Sequence, residues 1–546
     1  MKHTFMSAVA AGSLLAVLMG SGAASAQSRA DAEAAMARLG LTGNENITYG
    51  STDWSNGRYI LNDVTIRVPD TPDAGDDDAD DAGKGGSDDA DSQVNVDVDV
   101  SFDELHIERI VFDALRLDDD GEVMFDGLSF DNLTAEEPEV SGSLRVAHIG
   151  VEDPNAVMVA DLVRGLSGEI DDDYEPDWSD YSFSSFSMEG FSGTGDEGEG
   201  PFSIALEQLA IQDFSDVELG RFALIGMDFD LPNEDGSRVL LRVGELSVTG
   251  LKTEAYSEFL DAVSSGADEN SIMSAYYRAS AQAQPDIYER IAMRDLLVEA
   301  DGVHVAMDNL TAQIDRSRGG YNMAGMMDSL RLVPDASMES GAQLAMAIGM
   351  LGYEDLELSM QTHSVYDEAS GRMHTVGDNY VQLRDGVRIE FAQDFDGYDE
   401  YYAQIPDILA NMPDDVTDED AQSEMMMRML APVVLNNLMV RIVDQSLLDR
   451  ALDAGAAAQG LTKDEFRIQT AAMAGMGLMA APPEVPRTML AELSTALSAF
   501  INQGGSLTID VSPAEPLSVG EWMEQVEAGN IDFDALGLSF TAEAPE

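Results

Sequence analysis

The chain contains no cysteine. That excludes disulfides, thiolate nucleophiles and cysteine-ligated metal sites. Cations are scarce: 29 Lys+Arg stand against 103 Asp+Glu, a formal net charge of −74. A field of that sign repels nucleic acid and anionic membrane surfaces, so no nucleic-acid partner is expected. Long apolar runs are missing beyond the N-terminus. No later stretch reaches the ~18 uncharged apolar residues of a membrane helix, so no integral span is expected after processing. Catalytic signatures are missing as well. The sequence has no HExxH, no G-x-S-x-G elbow, no P-loop and no dinucleotide fingerprint after a strand. The histidines are His3, His106, His148, His304, His363 and His374. None has zinc-ligand spacing, and those in strand patterns read as ordinary strand residues.

What is present is a large apolar fraction, 44% of 546 residues. That supports two or three domains or one long repetitive β-structure, and it excludes global disorder. Lys2, the apolar run Ala8–Met19 and Ala24-Ser25-Ala26 form a signal-peptide pattern over residues 1–26, with cleavage after Ala26. No cysteine follows the run, so no lipoprotein anchor is expected. The compartment implied is the periplasm or the exterior.

Residues 27–103 hold a helix at Ala30–Leu39 and a strand at Tyr59–Val68. An Asp-rich insert at 70–92 follows, with too little apolar surface to fold. Val94–Phe102 then alternates strictly, as a half-exposed strand does. Asp76, Asp77, Asp78, Asp80 and Asp81 supply hard oxygen ligands. Without an EF-hand loop or a GGxGxDx repeat they imply weak, delocalised Ca²⁺ association, and no other cofactor is expected.

The first repeat unit occupies 104–200. In LHIERIVFDALRL the apolar pairs Leu105/Ile107, Ile110/Phe112 and Leu115/Leu117 are each out of phase with the last. Bulges or tight bends produce such slips. Asp119-Asp120-Gly121 is a turn signal, Leu144–Val151 a strand and Pro154–Leu166 a helix. Ile170–Pro201 reads as a Ser/Gly-rich acidic loop whose aromatics fasten it to its own domain or, alternatively, form a binding lip.

The unit recurs at 201–290. IERIVFDAL (107–115) matches LEQLAIQDF (206–214), and LRVAHIGV (144–151) matches LRVGELSV (241–248), offset 241 − 144 = 97 positions. A third unit at 291–420 is cued by IAMRDLLV (291–298) and by DNLTA at 308–312, which also occurs at 131–135. Asn270–Met293 reads as a helix kinked at Pro285, Gly319–Met327 as a loop and Ala342–Leu351 as a short helix. A strand meander follows to Phe395. Residues 421–546 are richer in helix. Thr462 and Glu465 form a capping box, and Ser518 and Glu521 cap a last helix.

Methionine is plentiful, 30 in all, clustered at Met425–Met427 with Met429 and at Met473, Met476 and Met479. Such helices pack as core or, alternatively, line a lipid-contacting groove. Carboxylate pairs occur everywhere and so identify no acid–base site, although a secreted hydrolase using one remains an alternative.

LGYEDLELSM (351–360), VYDEASGRMHTV (365–376), GVRIEF (386–391), LMVRIVD (438–444), SLLDRALDAGAAAQGL (446–461) and AFINQGGSLTIDVSP (499–513) follow one another in an order that carries a resemblance. Over 340–546 the chain resembles uncharacterised proteobacterial exported proteins of the YdgA-like periplasmic family, and more distantly AsmA-type envelope proteins. The resemblance implies long curved sheets with helices alongside and a role in lipid transport or outer-membrane homeostasis. It implies no catalytic residues. Those relatives keep an N-terminal membrane anchor, from which the cleavage pattern here departs.

The expected fold is α+β, with repeated antiparallel, curved β-sheet subdomains, packed helices and a more helical C-terminal part. The expected function is a non-enzymatic binding or structural role in the envelope, with a lipid or an envelope protein as partner. The alternatives are the hydrolase and an acidic, calcium-associated surface or matrix protein. The lipid reading requires a sheet face that stays apolar over several consecutive strands.

Overall fold

The computed structural model describes residues 28–41, 46–67, 104–137, 142–167, 180–196, 200–232, 237–253, 286–300, 302–410, 427–479, 481, 485–528 and 532–545. The signal-peptide pattern, the Asp-rich insert, Val94–Phe102 and Pro285 lie outside them. The chain divides into two compact units, Met1–Gly236 and Ser237–Glu546. Both are α+β and built on antiparallel sheet, and helices concentrate towards the C-terminus.

In the first unit, α1 (Arg29–Arg38) opens on a capping box between Ser28 and Asp31. The strands are β1 (Ile47–Ser55), β2 (Arg58–Arg67), β3 (Glu104–Asp113), β6 (Gly127–Glu137), β7 (Gly142–Glu152), β8 (Phe183–Asp196), β9 (Pro201–Phe214) and β10 (Leu219–Pro232). Each pairs antiparallel with the next in that order. A small hairpin, β4 (Arg116–Leu117) with β5 (Val123–Met124), stands apart from the sheet. Its turn is the Asp-Gly signal: Gly121 donates its backbone N–H to the Asp118 carbonyl. Helix α2 (Ala156–Ser167) and α1 pack beside this hairpin, and with the sheet they enclose the core.

The phase slips seen in the sequence have a backbone cause. Between the pairs Tyr49↔Val64 and Ser51↔Asn62, Asp63 takes φ 54° opposite Gly50. The same register position carries Asn132 (φ 52°) on β6, Gly190 (φ 62°) on β8 and Gly226 (φ 64°) on β10. Facing them on the intervening strands are Glu108, Ala147 and Glu207. A left-handed residue inside a strand resets which side the next residue faces. Leu61 and Val64, three apart, are therefore both 0% exposed, whereas regular alternation would place them on opposite faces. Ile107/Ile110, Phe130/Leu133 and Val146/Ile149 repeat this spacing in the core.

Six residues further along the strands a second set appears: Ala114 (φ 52°), Asp153 (φ 57°) and Asp213 (φ 52°). The sequence repeats map onto these sets. The offset of 97 superposes Ala147 on Gly244, each opposite a left-handed residue, and Asp153 on Gly250, each left-handed itself. The echo of 107–115 at 206–214 likewise superposes Glu108 on Glu207 and Ala114 on Asp213. What recurs is thus the placement of kinks along paired strands.

In the second unit β11 (Arg238–Leu251), β12 (Arg290–Ala300), β13 (Val303–Ser317), β14 (Gly320–Pro334) and β15 (Leu356–Asp367) pair in order. The short β16 (Arg372–Thr375) and β17 (Tyr380–Leu383) both join β15 to β18 (Val387–Asp396). Then come β19 (Val434–Asp444), β20 (Ser506–Val511) with β21 (Leu517–Ser518), and β22 (Leu538–Glu543). The helices are α3 (Glu339–Gly349), α4 (Tyr398–Ala410), α5 (Leu447–Gln459), α6 (Lys463–Met479), α7 (Arg487–Gln503) and α8 (Val519–Glu527).

Three local expectations fail. The loop read at Ile170–Pro201 contains β8, because Phe183, Phe186 and Met188 face the core while Ser and Gly fill the other side. Gly319–Met327 is the β13–β14 turn followed by strand: Gly319 takes φ 97°, and Tyr321 stacks on Tyr366 with centroids 6.2 Å apart. The helix read to Met293 gives way to β12 at Arg290, where pairing on both sides overrides local preference.

Candidate apolar binding face

Residues directly opposite each other on paired strands project to the same side of a sheet. In the second unit this register assembles one continuous apolar row: Leu246, Met293, Leu310, Met327, Met360, Val381, Ile389, Ile442, Leu507 and Ala542. It crosses ten strands, from β11 to β22. A parallel row on the same side runs Val243, Leu296, Met307, Leu330, Leu358, Leu383 and Val387. Between the rows β12 kinks at Asp295 (φ 51°) opposite Gly244, and β14 shifts register between Met327 and Leu330. Without those slips the rows would fall on opposite faces.

The other face is polar. Ion pairs join Arg294 to Glu245 at 2.6 Å and Arg388 to Glu390 at 2.9 Å, and Arg441 bridges Glu390 and Glu543. The Arg388 guanidinium stacks 3.7 Å over the Tyr380 ring.

Among the described residues, helices cover the apolar side only in places. At one strand end, α4 brings Tyr398 and Tyr402 onto Tyr321, Tyr366 and Met373. Burial pushes the phenols of Tyr398, Tyr401 and Tyr402 up. At the far edge, α7 lies on β20 and β22. Between them most of the row is half-buried, and Val381 and Ile389 are 39% and 38% exposed. The first unit differs: its central apolar positions, such as Leu61, Phe112 and Phe130, are 2% exposed or less beneath α1, α2 and the hairpin.

The residues singled out from the sequence are scattered. Asp76, Asp77, Asp78, Asp80 and Asp81 lie outside the described residues. Among the described residues no three His, Asp or Glu side chains gather as a metal site. Met425 and Met426 also lie outside. On α6, Met473 and Met476 are 46% and 62% exposed, so they are not core, and α6 packs on α5 and α7. His304 pairs with Glu299 at 3.1 Å.

One cluster escaped the sequence reading. On the polar side of the first unit, Arg109 Nε donates to Asp131 Oδ2 at 2.7 Å, and His148 Nδ1 lies 2.7 Å from Asp131 Oδ1. Only pairing β3, β6 and β7 brings these three together. Burial raises the Asp131 carboxyl, but the hydrogen bonds and charges of His148 and Arg109 outweigh it and hold the group below the ordinary carboxylate range. A carboxyl depressed in the folded state contributes stability in full above the unfolded value of ~3.9. That contribution fades as pH falls through the lower folded value. Asp131→Asn should therefore lower the urea midpoint at pH 7, and the deficit against wild type should shrink at pH 3.

No helix among the described residues is long and apolar enough to cross a membrane. No curated protein matches the chain. A family model described as "Uncharacterized protein" matches residues 380–543, the stretch from β17 through β22 that carries Val381, Ile389 and the α7-covered end of the apolar row.

Proposed function

We propose that the chain is an exported, non-enzymatic factor of the cell envelope that holds long apolar molecules, such as lipid acyl chains, on the sheet of its second unit. The observation that carries this reading is the ten-strand apolar row, left partly open at Val381 and Ile389. A long apolar row that stays half-buried and opens at two facing residues supports a binding site. Nine strand spacings of ~4.8 Å give a track about 43 Å long, which suits an extended chain better than a compact metabolite.

The test is native purification followed by solvent extraction and lipid mass spectrometry. Bound acyl chains are expected, and a clean blank would overturn the reading. The double variant Val381→Lys/Ile389→Lys should reduce recovered lipid at least tenfold while leaving the circular dichroism spectrum unchanged.

A further inference from the structure

Among the described residues β22 pairs only with β20, so no described strand covers its outer edge. Such an edge is a template for another strand. Beside it lies an open groove of about 440 Å³. The groove is lined by Ala491, Glu492, Thr495 and Ala499 of α7 and by Phe540 and Thr541 of β22, together with their small neighbours, and by no residue of β20. Helix α7 packs chiefly on β22, the last strand, and only marginally on β20, so the groove beneath it opens at the β22 edge. A strand added there would satisfy the backbone of β22 and set alternate side chains under α7.

We propose that the β22 edge and α7 form a docking site for an extended, cationic segment of a partner protein, which adds to the sheet as a further strand. This is the strand-addition mode of peptide recognition, in which main-chain bonds supply affinity and a flanking groove supplies selectivity. Charge selects the occupant. Glu492 lines the groove, within a chain of net charge −74. Pairing two β22 edges would bring two such chains together, which their mutual repulsion opposes. A segment alternating apolar and basic residues meets both requirements.

The site adjoins the end of the proposed lipid track, since Ala542 ends the apolar row and also lines the groove, but its test reads peptide and not lipid, so either reading can fail without the other. Fluorescein-labelled Lys-Val-Lys-Val-Lys-Val-Lys is titrated into the full chain and followed by anisotropy. Saturable binding is expected. Thr495→Trp fills the groove from an exposed position and should weaken binding at least tenfold, and Ala491→Trp provides a second exposed variant. Of two peptides N-methylated on alternate residues, the one blocked on its pairing edge should lose at least tenfold. Glu-Val-Glu-Val-Glu-Val-Glu should not bind. Equal binding by both methylated peptides or by the acidic peptide, or indifference to both tryptophan variants, would overturn the proposal. So would a concentration-dependent dimer abolished by Thr495→Trp, which would assign the edge to a second copy.

Discussion

Gly190→Val should destabilise the first unit by about 2–5 kcal/mol, read as a lower urea midpoint with an unchanged m-value. Two costs combine. Gly190 holds φ 62°, a left-handed conformation that costs an L-residue about 1–2 kcal/mol and a β-branched one the most. A Cβ there would also sit 2.8 Å from Ala147 Cβ on the neighbouring strand, an overlap of the kind that costs about 1–3 kcal/mol. Gly193, three residues on in the same strand, has no such φ, and a Cβ there meets nothing closer than 4.0 Å. Gly193→Val should therefore be far milder. Equal effects at both positions would mean that the kink is incidental to the fold.

That contrast also marks what could be read before the structure. The slip between Ile107 and Ile110 is visible in LHIERIVFDAL, and so is the capping box that opens α6. There Thr462 donates its N–H to Glu465 Oε2 at 3.0 Å and accepts from the Glu465 N–H at 3.3 Å. Both signals lie within a few residues of sequence. The apolar face is different. Leu246 and Met293 become neighbours only through the β11–β12 pairing, and Ile442 and Leu507 only through β19–β20. A single Asp, Asn or Gly within a strand reads locally as a turn or a polar outward position. Its left-handed backbone, which decides the facing of every residue beyond it, is settled by the neighbouring strand. The Arg109, Asp131 and His148 cluster was hidden for the same reason, since each residue alone reads in the sequence as an ordinary polar strand position.

Phe112→Ala should cost the first unit about 3–5 kcal/mol, the range for truncating a buried aromatic. Phe112 is 0% exposed, packs edge-on against Phe125 with centroids 5.8 Å apart, and lies between Tyr59 and Leu128 in the core. Ile389→Ala offers the matching measurement in the second unit. Ile389 occupies a comparable place in a cross-strand apolar row but remains 38% exposed, so its truncation should cost about 1 kcal/mol or less. The difference bears on function. An apolar side chain that adds little to stability and still continues a ten-strand row is not accounted for by folding alone. If Ile389→Ala proved as costly as Phe112→Ala, the row would be core and the case for a ligand would fall with it. If it is cheap to stability and reduces recovered lipid, burial of that side chain is completed by the ligand.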